Sequence, residues 1–299
     1  MLQTPFGIVE RHPARKEARC SMRRDTLLGE LSAELLGTFT LIIFGVGVVA
    51  QTVLTPFACG VGCAQSIHWA WGIGVIMGVY VAGGISGAHI NPAVTLALAV
   101  RRGFPWPKVL PYWGAQVVGA FLAALVVRWN FWEAFDKFDP GKTVKSQNVF
   151  STLPGNNGPI DVSQLGAFRD QIIGTAILVM VIFAIIDTRN LAPASNMGPL
   201  IIGLLVVGIG MAIGAAAGYA INPARDFGPR LASWITGWSN AWNDQRGNFY
   251  AWVPILGPFA GGVLGGVIYD LFIARWLPVA APEVGRVPEP PEAARTDTT

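Results

Sequence analysis

Residues 215–230 read AAAGYAINPARDFGPR. Residues 190–224 contain no Asp, Glu, Lys or Arg, and then Arg225 and Asp226 stand side by side. The tripeptide Asn222-Pro223-Ala224 has an earlier copy, Asn91-Pro92-Ala93, inside GAHINPAVT at 87–95. Asn is a favoured N-cap, and Pro is favoured at the first helical position, where its missing N–H would be unpaired anyway. Each copy therefore starts a helix. The apolar segments that follow, near 91–101 and 222–233, are too short to cross a bilayer, which takes roughly 20 residues. A short helix at membrane depth is tolerated only where protein or a water-filled cavity surrounds its ends.

The rest of the chain supplies that setting. Of 299 residues, 52% are hydrophobic and 13% charged, against about 25% charged in soluble domains. Residues 35–100 carry no charge at all. Six full spans are predicted, at about 28–51, 67–86, 109–128, 168–187, 197–217 and 249–272. The net charge of +3 is small and gives no reason to expect a nucleic acid partner. Residues 1–24 are polar and basic without an apolar run, unlike a cleaved secretory signal. Cys20, Cys59 and Cys63 set no disulfide framework. For Cys59 and Cys63 a bridge or a metal site competes with the favoured reading, lone thiols in an apolar loop.

The two halves repeat. Glu34-Leu-Leu-Gly37-Thr38 opens the first span and Gln171-Ile-Ile-Gly174-Thr175 the fourth, and Ile90–Ala93 matches Ile221–Ala224. Three spans per half is an odd number, so the second half must sit upside down, and inverted repeats place a shared site near the midplane. The expected fold is all-α: six transmembrane helices plus two re-entrant half-helices in an inverted repeat. The divisions are a basic N-terminal segment 1–27, a membrane domain 28–273 and a disordered tail 274–299. Repeat one is about 28–130 and repeat two about 168–273, linked by an outer loop 131–167. Arg11, Arg15, Lys16, Arg19, Arg23 and Arg24, then Arg101, Arg102 and Lys108, then Arg189 and Arg275 all fall on one side of the six-span layout. That places both termini in the cytoplasm. Trp106, Trp113, Trp129, Trp132, Trp234, Trp252 and Trp276 lie near span ends, as interfacial anchors do. Gly257, Gly261 and Gly265 form one small-residue helix face for close packing.

The motif chemistry follows from the caps. Each Asn side-chain oxygen accepts from free N–H groups of its own helix, which leaves the NH2 of Asn91 and of Asn222 as a donor facing a cavity. Two helix N-termini at the midplane carry about half a positive charge each, so the arrangement opposes cations and admits neutral solutes that accept hydrogen bonds. The connectors Gly87-Ala88-His89-Ile90 and Gly218-Tyr219-Ala220-Ile221 offer carbonyls as an acceptor ladder along one wall, facing an apolar wall. Arg225 is an ionisable group at membrane depth and functional by default. It is placed at the outer mouth, and Val94 is its counterpart in the other half. Asp226 and Arg230 are four apart and read as a structural pair. Glu34 and Gln171 are supporting groups, with connector N–H groups as the partners of Glu34. His89 reads either as a pore-lining group or as a satisfied packing histidine. His12 and His68 are uninformative.

SGAHINPAVT and GYAINPARDFGPR together resemble the major intrinsic protein family, the aquaporins and glycerol facilitators, over roughly residues 28–273. Asp226 after the arginine, a basic Arg230 four further on, and Pro254-Ile255 in the last span are similar to the aquaglyceroporin branch. The resemblance implies a four-residue selectivity filter at Trp71, Gly210, Tyr219 and Arg225. There Gly210 leaves room, Trp71 and Tyr219 form an aromatic corner for the CH face of a polyol, and Arg225 takes its hydroxyls. It also implies a homotetramer with one pore per subunit in the plasma membrane. The expected solutes are glycerol, water and other small uncharged molecules, with no cofactor or metal. Glycerol facilitators often have Phe where Tyr219 stands and Glu where Gln171 stands.

Three functions compete: a passive channel, a coupled secondary transporter, and an adhesion or scaffold member with a closed pore. The residues favour the channel, because the only charge expected to face the pore is Arg225, which cannot give up its proton. No nucleophile–base pair or metal-ligand cluster is visible, so an enzyme is not expected.

Overall fold

A computed structural model describes residues 26–55, 63–158 and 160–279. Among the described residues ten α-helices follow one another: α1 Leu27–Leu54, α2 Cys63–Ser86, α3 Pro92–Arg101, α4 Trp106–Asn130, α5 Trp132–Phe138, α6 Val144–Phe150, α7 Gln164–Ile186, α8 Gly198–Ile213, α9 Pro223–Ile235 and α10 Val253–Phe272. Among the described residues no strand forms, and a single bridge joins Asn243 and Phe249. The expectations for the N-terminal segment, Cys20, Cys59, His12 and most of the tail lie outside the described residues.

Local chemistry sets the helix starts. Thr26 caps α1 by accepting from Gly29 N, and Ser163 caps α7 by accepting from Gly166 N, both at 3.1 Å. Pro107, Pro199 and Pro254 sit in the first turns of α4, α8 and α10, where a missing N–H costs nothing.

The packing maps onto itself when the halves are exchanged. α1 packs on α2 and α4, and correspondingly α7 packs on α8 and α10. The last span of each half holds the short helix of the other, α4 against α9 and α10 against α3, while α2 and α8 pair across the centre. Lipid gives helices little hydrophobic reason to associate, so small residues that let backbones approach carry the packing. At the α2–α8 crossing, a Cβ on Gly72 would lie 2.7 Å from the Gly203 carbonyl, and one on Gly203 would lie 2.6 Å from that of Gly72. Gly257, Gly261 and Gly265 all face α7, against Gln171, Ile172 and Ala176.

Among the described residues five helices are long and apolar enough to cross a membrane: α1, α2, α4, α7 and α10. The fifth expected span, 197–217, is helical only over the 16 residues of α8, about 24 Å at 1.5 Å per residue. Helix-like bonds from Gly214 N to Gly210 O and from Gly218 N to Gly214 O carry the chain onward in turns. The expected start of the last span at 249 is also corrected to Val253. Tyr250 N and Ala251 N bond to the Trp242 carbonyl instead of starting a helix.

The segment 131–167, expected as an outer loop, contains α5 and α6. Seven-residue helices have no stability of their own. These two exist because Phe135 and Phe150 stack at 5.2 Å and both meet the buried Trp238 edge-on, at 5.3 and 5.0 Å. Cys63 corrects a further expectation. It is disulfide-bonded rather than a lone thiol, and its partner lies outside the described residues.

A bulky residue on the α10 face should separate α10 from α7. Gly261→Leu is expected to destabilise the fold by about 1–3 kcal/mol, as overpacking does. Gly47→Ala, with nothing within 4 Å of the added carbon, should leave stability unchanged or slightly higher. Thermal unfolding in detergent micelles distinguishes the two.

Candidate functional site

Asn91 and Asn222 each work in two directions. Asn91 Oδ1 accepts from Ala93 N at 2.9 Å, capping α3. Asn222 Oδ1 accepts from Ala224 N at 3.0 Å and Arg225 N at 3.2 Å, capping α9. The amide nitrogens then cross between the halves. Asn91 Nδ2 donates to the Ile221 carbonyl and Asn222 Nδ2 to the Ile90 carbonyl, both at 2.8 Å. The expectation that these donors face only the cavity is therefore corrected. One hydrogen of each amide holds the opposite connector, and the second has no protein partner among the described residues. Pro92, Ala93, Pro223 and Ala224 are buried in the first turns of the two short helices.

The connectors hold an unusual backbone. Ala88, Ile90, Tyr219 and Ile221 all have φ between 36° and 49°, a region that β-branched residues almost never enter. Such conformations persist only where surrounding groups over-determine them. Here one side chain in each half does so. Glu34 Oε1 accepts from His89 N at 2.9 Å and Oε2 from Ile90 N at 2.7 Å. Gln171 Oε1 accepts from Ile221 N at 2.9 Å, and its Nε2 donates to Ala217 O at 3.1 Å. Glu34 also receives Ser86 Oγ at 2.6 Å and Gln116 Nε2 at 2.7 Å.

The first connector has each N–H engaged from behind, the second those of Gly218 and Ile221, and both leave carbonyls over. Among the described residues no protein group donates to the carbonyls of Gly87, Ala88, His89, Gly218, Tyr219 or Ala220. Those of Ile90 and Ile221 are taken by the two asparagines. Gly87, Ala88, His89, Ile90, Tyr219, Ala220 and Ile221 line one cavity, together with Asn91, Asn222 and Arg225. Gly218 does not. It is turned against Thr152 and Asn156. The facing wall is apolar, with Leu41, Val75, Leu178, Ile182, Ile202 and Val206. The cavity measures about 130 Å³, room for several waters when one needs about 10–15 Å³.

Arg225 projects from the first turn of α9 and is buried. Its guanidinium lies 4.0 Å from the centre of the Trp71 ring, a cation–π contact worth about 2 kcal/mol when desolvated. Its Nη1 is buried without a partner. The Trp71 ring rests where Gly45 of α1 leaves room. Asp226 next to it points away and ties α9 to the segment 131–167, accepting from Thr152 N and Oγ1 at 2.8 and 2.7 Å and from Arg230 Nε at 2.8 Å. Arg230 in turn donates to the carbonyls of Ala241 and Thr152.

Trp71, Tyr219 and Arg225 meet on the cavity; Gly210 does not line it. A Cβ on Gly210 would lie 2.6 Å from His68 Nδ1 and 2.9 Å from Tyr219 Cζ. The room at Gly210 is thus filled by the Tyr219 ring and His68, a correction to the expectation that it opens the lumen directly. His89 satisfies both of its readings, since it lines the cavity and bonds Thr95 Oγ1 at 3.1 Å. Sequence reasoning missed His68 and Gly214, which both touch Tyr219. His68 stands one helical turn before Trp71, a spacing that puts both on one face of α2. Its partner is 151 residues away.

The model of the family described as Major intrinsic protein matches residues 21–269. The chain is 46% identical over 249 residues to a Probable aquaglyceroporin-2 of Gibberella zeae, covering 81% of this chain and 71% of that one. It is 40% identical over 245 residues to Aquaporin-7-2 of Laccaria bicolor, covering 81% and 74%. Among solved structures, the aquaglyceroporin from Plasmodium falciparum superposes with a TM-score of 0.75 at 29% identity, over 84% of this chain and 98% of that one. With the paired half-helices, the crossed asparagines and these likenesses together, the chain belongs to the major intrinsic protein family, in its aquaglyceroporin branch.

Proposed function

We propose that the protein is a passive channel for glycerol and other small uncharged solutes, with some water flux, and that it excludes ions and protons. The carrying observation is the cavity itself. One wall presents unpaired carbonyls and two asparagine amides, the other is apolar, and Arg225 stands beside Trp71 and Tyr219. A polyol has hydroxyls along one edge and CH groups along the other, so it matches both walls at once. An ion matches neither, because the α3 and α9 N-termini and Arg225 repel cations and the apolar wall replaces no hydration shell.

Trp71, Tyr219 and Arg225 form the narrow filter in this reading, with Gly210 acting through the seat it gives Tyr219. Glu34, Gln171 and Asp226 hold the connectors and α9 in place. The protein sits in the plasma membrane with both termini in the cytoplasm and assembles as a homotetramer with one pore per subunit. Channel work needs no cofactor and no catalytic group.

Stopped-flow light scattering on proteoliposomes tests the reading, with water and glycerol gradients run separately. Fast glycerol equilibration that ignores an imposed proton or sodium gradient is expected. Dependence on such a gradient would make the protein a coupled transporter, and no flux of either solute would make it a closed member. Gly210→His should drive Tyr219 off its seat and into the slot, cutting glycerol flux by about tenfold, or about 1.4 kcal/mol of barrier, and water far less. Equal slowing of both would remove Gly210 from the filter. Arg225→Val should raise proton leak, read with a pH-sensitive dye trapped in the vesicles, above that of the wild-type protein.

A further inference from the structure

Tyr219 occupies a seat built from three directions. A Cβ on Gly214 would lie 2.7 Å from its Cδ1, and one on Gly210 would lie 2.9 Å from its Cζ. The ring therefore lies directly on the α8 backbone. From α2, His68 closes the seat: a hydrogen bond of 2.9 Å joins its Nδ1 to the Tyr219 hydroxyl, with ring centroids 5.3 Å apart. Tyr219 lines the cavity and His68 does not. The polar end of the phenol is thus tied behind the wall while the ring faces the solute.

We propose that His68 is a specificity-determining positioning residue of this channel, a latch that holds the Tyr219 hydroxyl away from Arg225. The proposal deepens the channel reading above and rests on it. The reason lies in the donors available at the slot. Arg225 Nη1 is buried with no protein partner, and it shares the cavity with Tyr219. A solute hydroxyl passing the slot needs such a donor. A phenol oxygen freed from His68 has the same need, since a buried hydroxyl left unpaired is unfavourable. It would turn to the guanidinium, occupy the donor and narrow the slot. Glycerol, the wider solute, would lose more than water. Either tautomer of the imidazole can hold the phenol, because a hydroxyl both donates and accepts.

The experiment measures the ratio of glycerol to water permeability in proteoliposomes by stopped flow. The ratio does not depend on how much protein inserts. His68→Leu and His68→Ser, which differ in bulk and polarity but neither of which reaches the phenol oxygen, should each lower the ratio about fivefold, within the usual range of coupled side chains. His68→Asn places an amide near the Nδ1 position and should hold the ratio within about twofold of the wild type. In a Tyr219→Phe background, which has no hydroxyl to release, His68→Leu should change the ratio by less than about twofold. A general packing defect would persist in that background and would not be rescued by Asn. An unchanged ratio in both His68→Leu and His68→Ser would overturn the proposal, as would a drop of equal size with Phe at 219. Wild-type vesicles that pass no glycerol would instead refute the channel reading itself.

Discussion

Everything at the centre of this molecule depends on two asparagine side chains that each satisfy backbone from both halves. Two helices start in the middle of the membrane region, where water does not reach ordinary backbone and each unpaired polar group costs several kcal/mol. Asn91 and Asn222 answer this with one oxygen and one nitrogen apiece. The oxygen caps the residue's own helix, and the nitrogen takes the last carbonyl of the opposite connector. The two half-helices are therefore fixed to each other as well as to their own spans. A displacement of either would unpair groups in both repeats, so the position of the pore centre is set by hydrogen bonds rather than by shape alone.

The connectors extend the same logic outward. Their left-handed turns direct the N–H groups of His89, Ile90 and Ile221 toward the scaffold, where Glu34 and Gln171 receive them. What remains on the other side is carbonyl oxygen. The cavity wall is thus rich in acceptors because most of the connector donors are engaged elsewhere. The two halves solve the problem differently. Glu34 gathers four donors, from His89, Ile90, Ser86 and Gln116, as suits a charge that must be paired when buried. Gln171 needs one donor and one acceptor, and finds them in Ile221 and Ala217.

The Arg225 end of the cavity breaks the symmetry of the repeats. Arg225 stands where the first half has Val94, and the surrounding structure accommodates its charge with the Trp71 face. Asp226 and Arg230, one and five residues further on, face the other way and bolt α9 to Thr152 and Ala241 of the neighbouring segments. Less than two turns of helix thus divide between the cavity and the scaffold. The small helices α5 and α6 belong to the same region. Their aromatic cluster around Trp238 packs α6 against α9, and Arg128 lies over the Trp132 ring nearby.

The sequence by itself determined five of the six spans, the two short helices, their caps and the internal repeat. These rest on hydrophobic runs, Asn-Pro starts and charge-free stretches, which act within a few residues of each other and leave a direct trace in residue order. Most of the residues that gather at the cavity were legible for the same reason, since the motifs mark where the chain turns back. Tertiary structure alone decided the rest. The asparagine cross-bonds join residues 130 and 132 positions apart, and the Tyr219 seat joins His68 to a residue 151 positions away. The room at Gly210 was visible in the sequence; that a neighbouring ring fills it was not. Nor were α5 and α6 visible, because seven residues are too few to show a period and their stability comes from rings elsewhere in the chain. A side chain's local geometry is written in its neighbours along the chain, whereas the partner of a hydrogen bond across the fold is fixed only when the helices have packed.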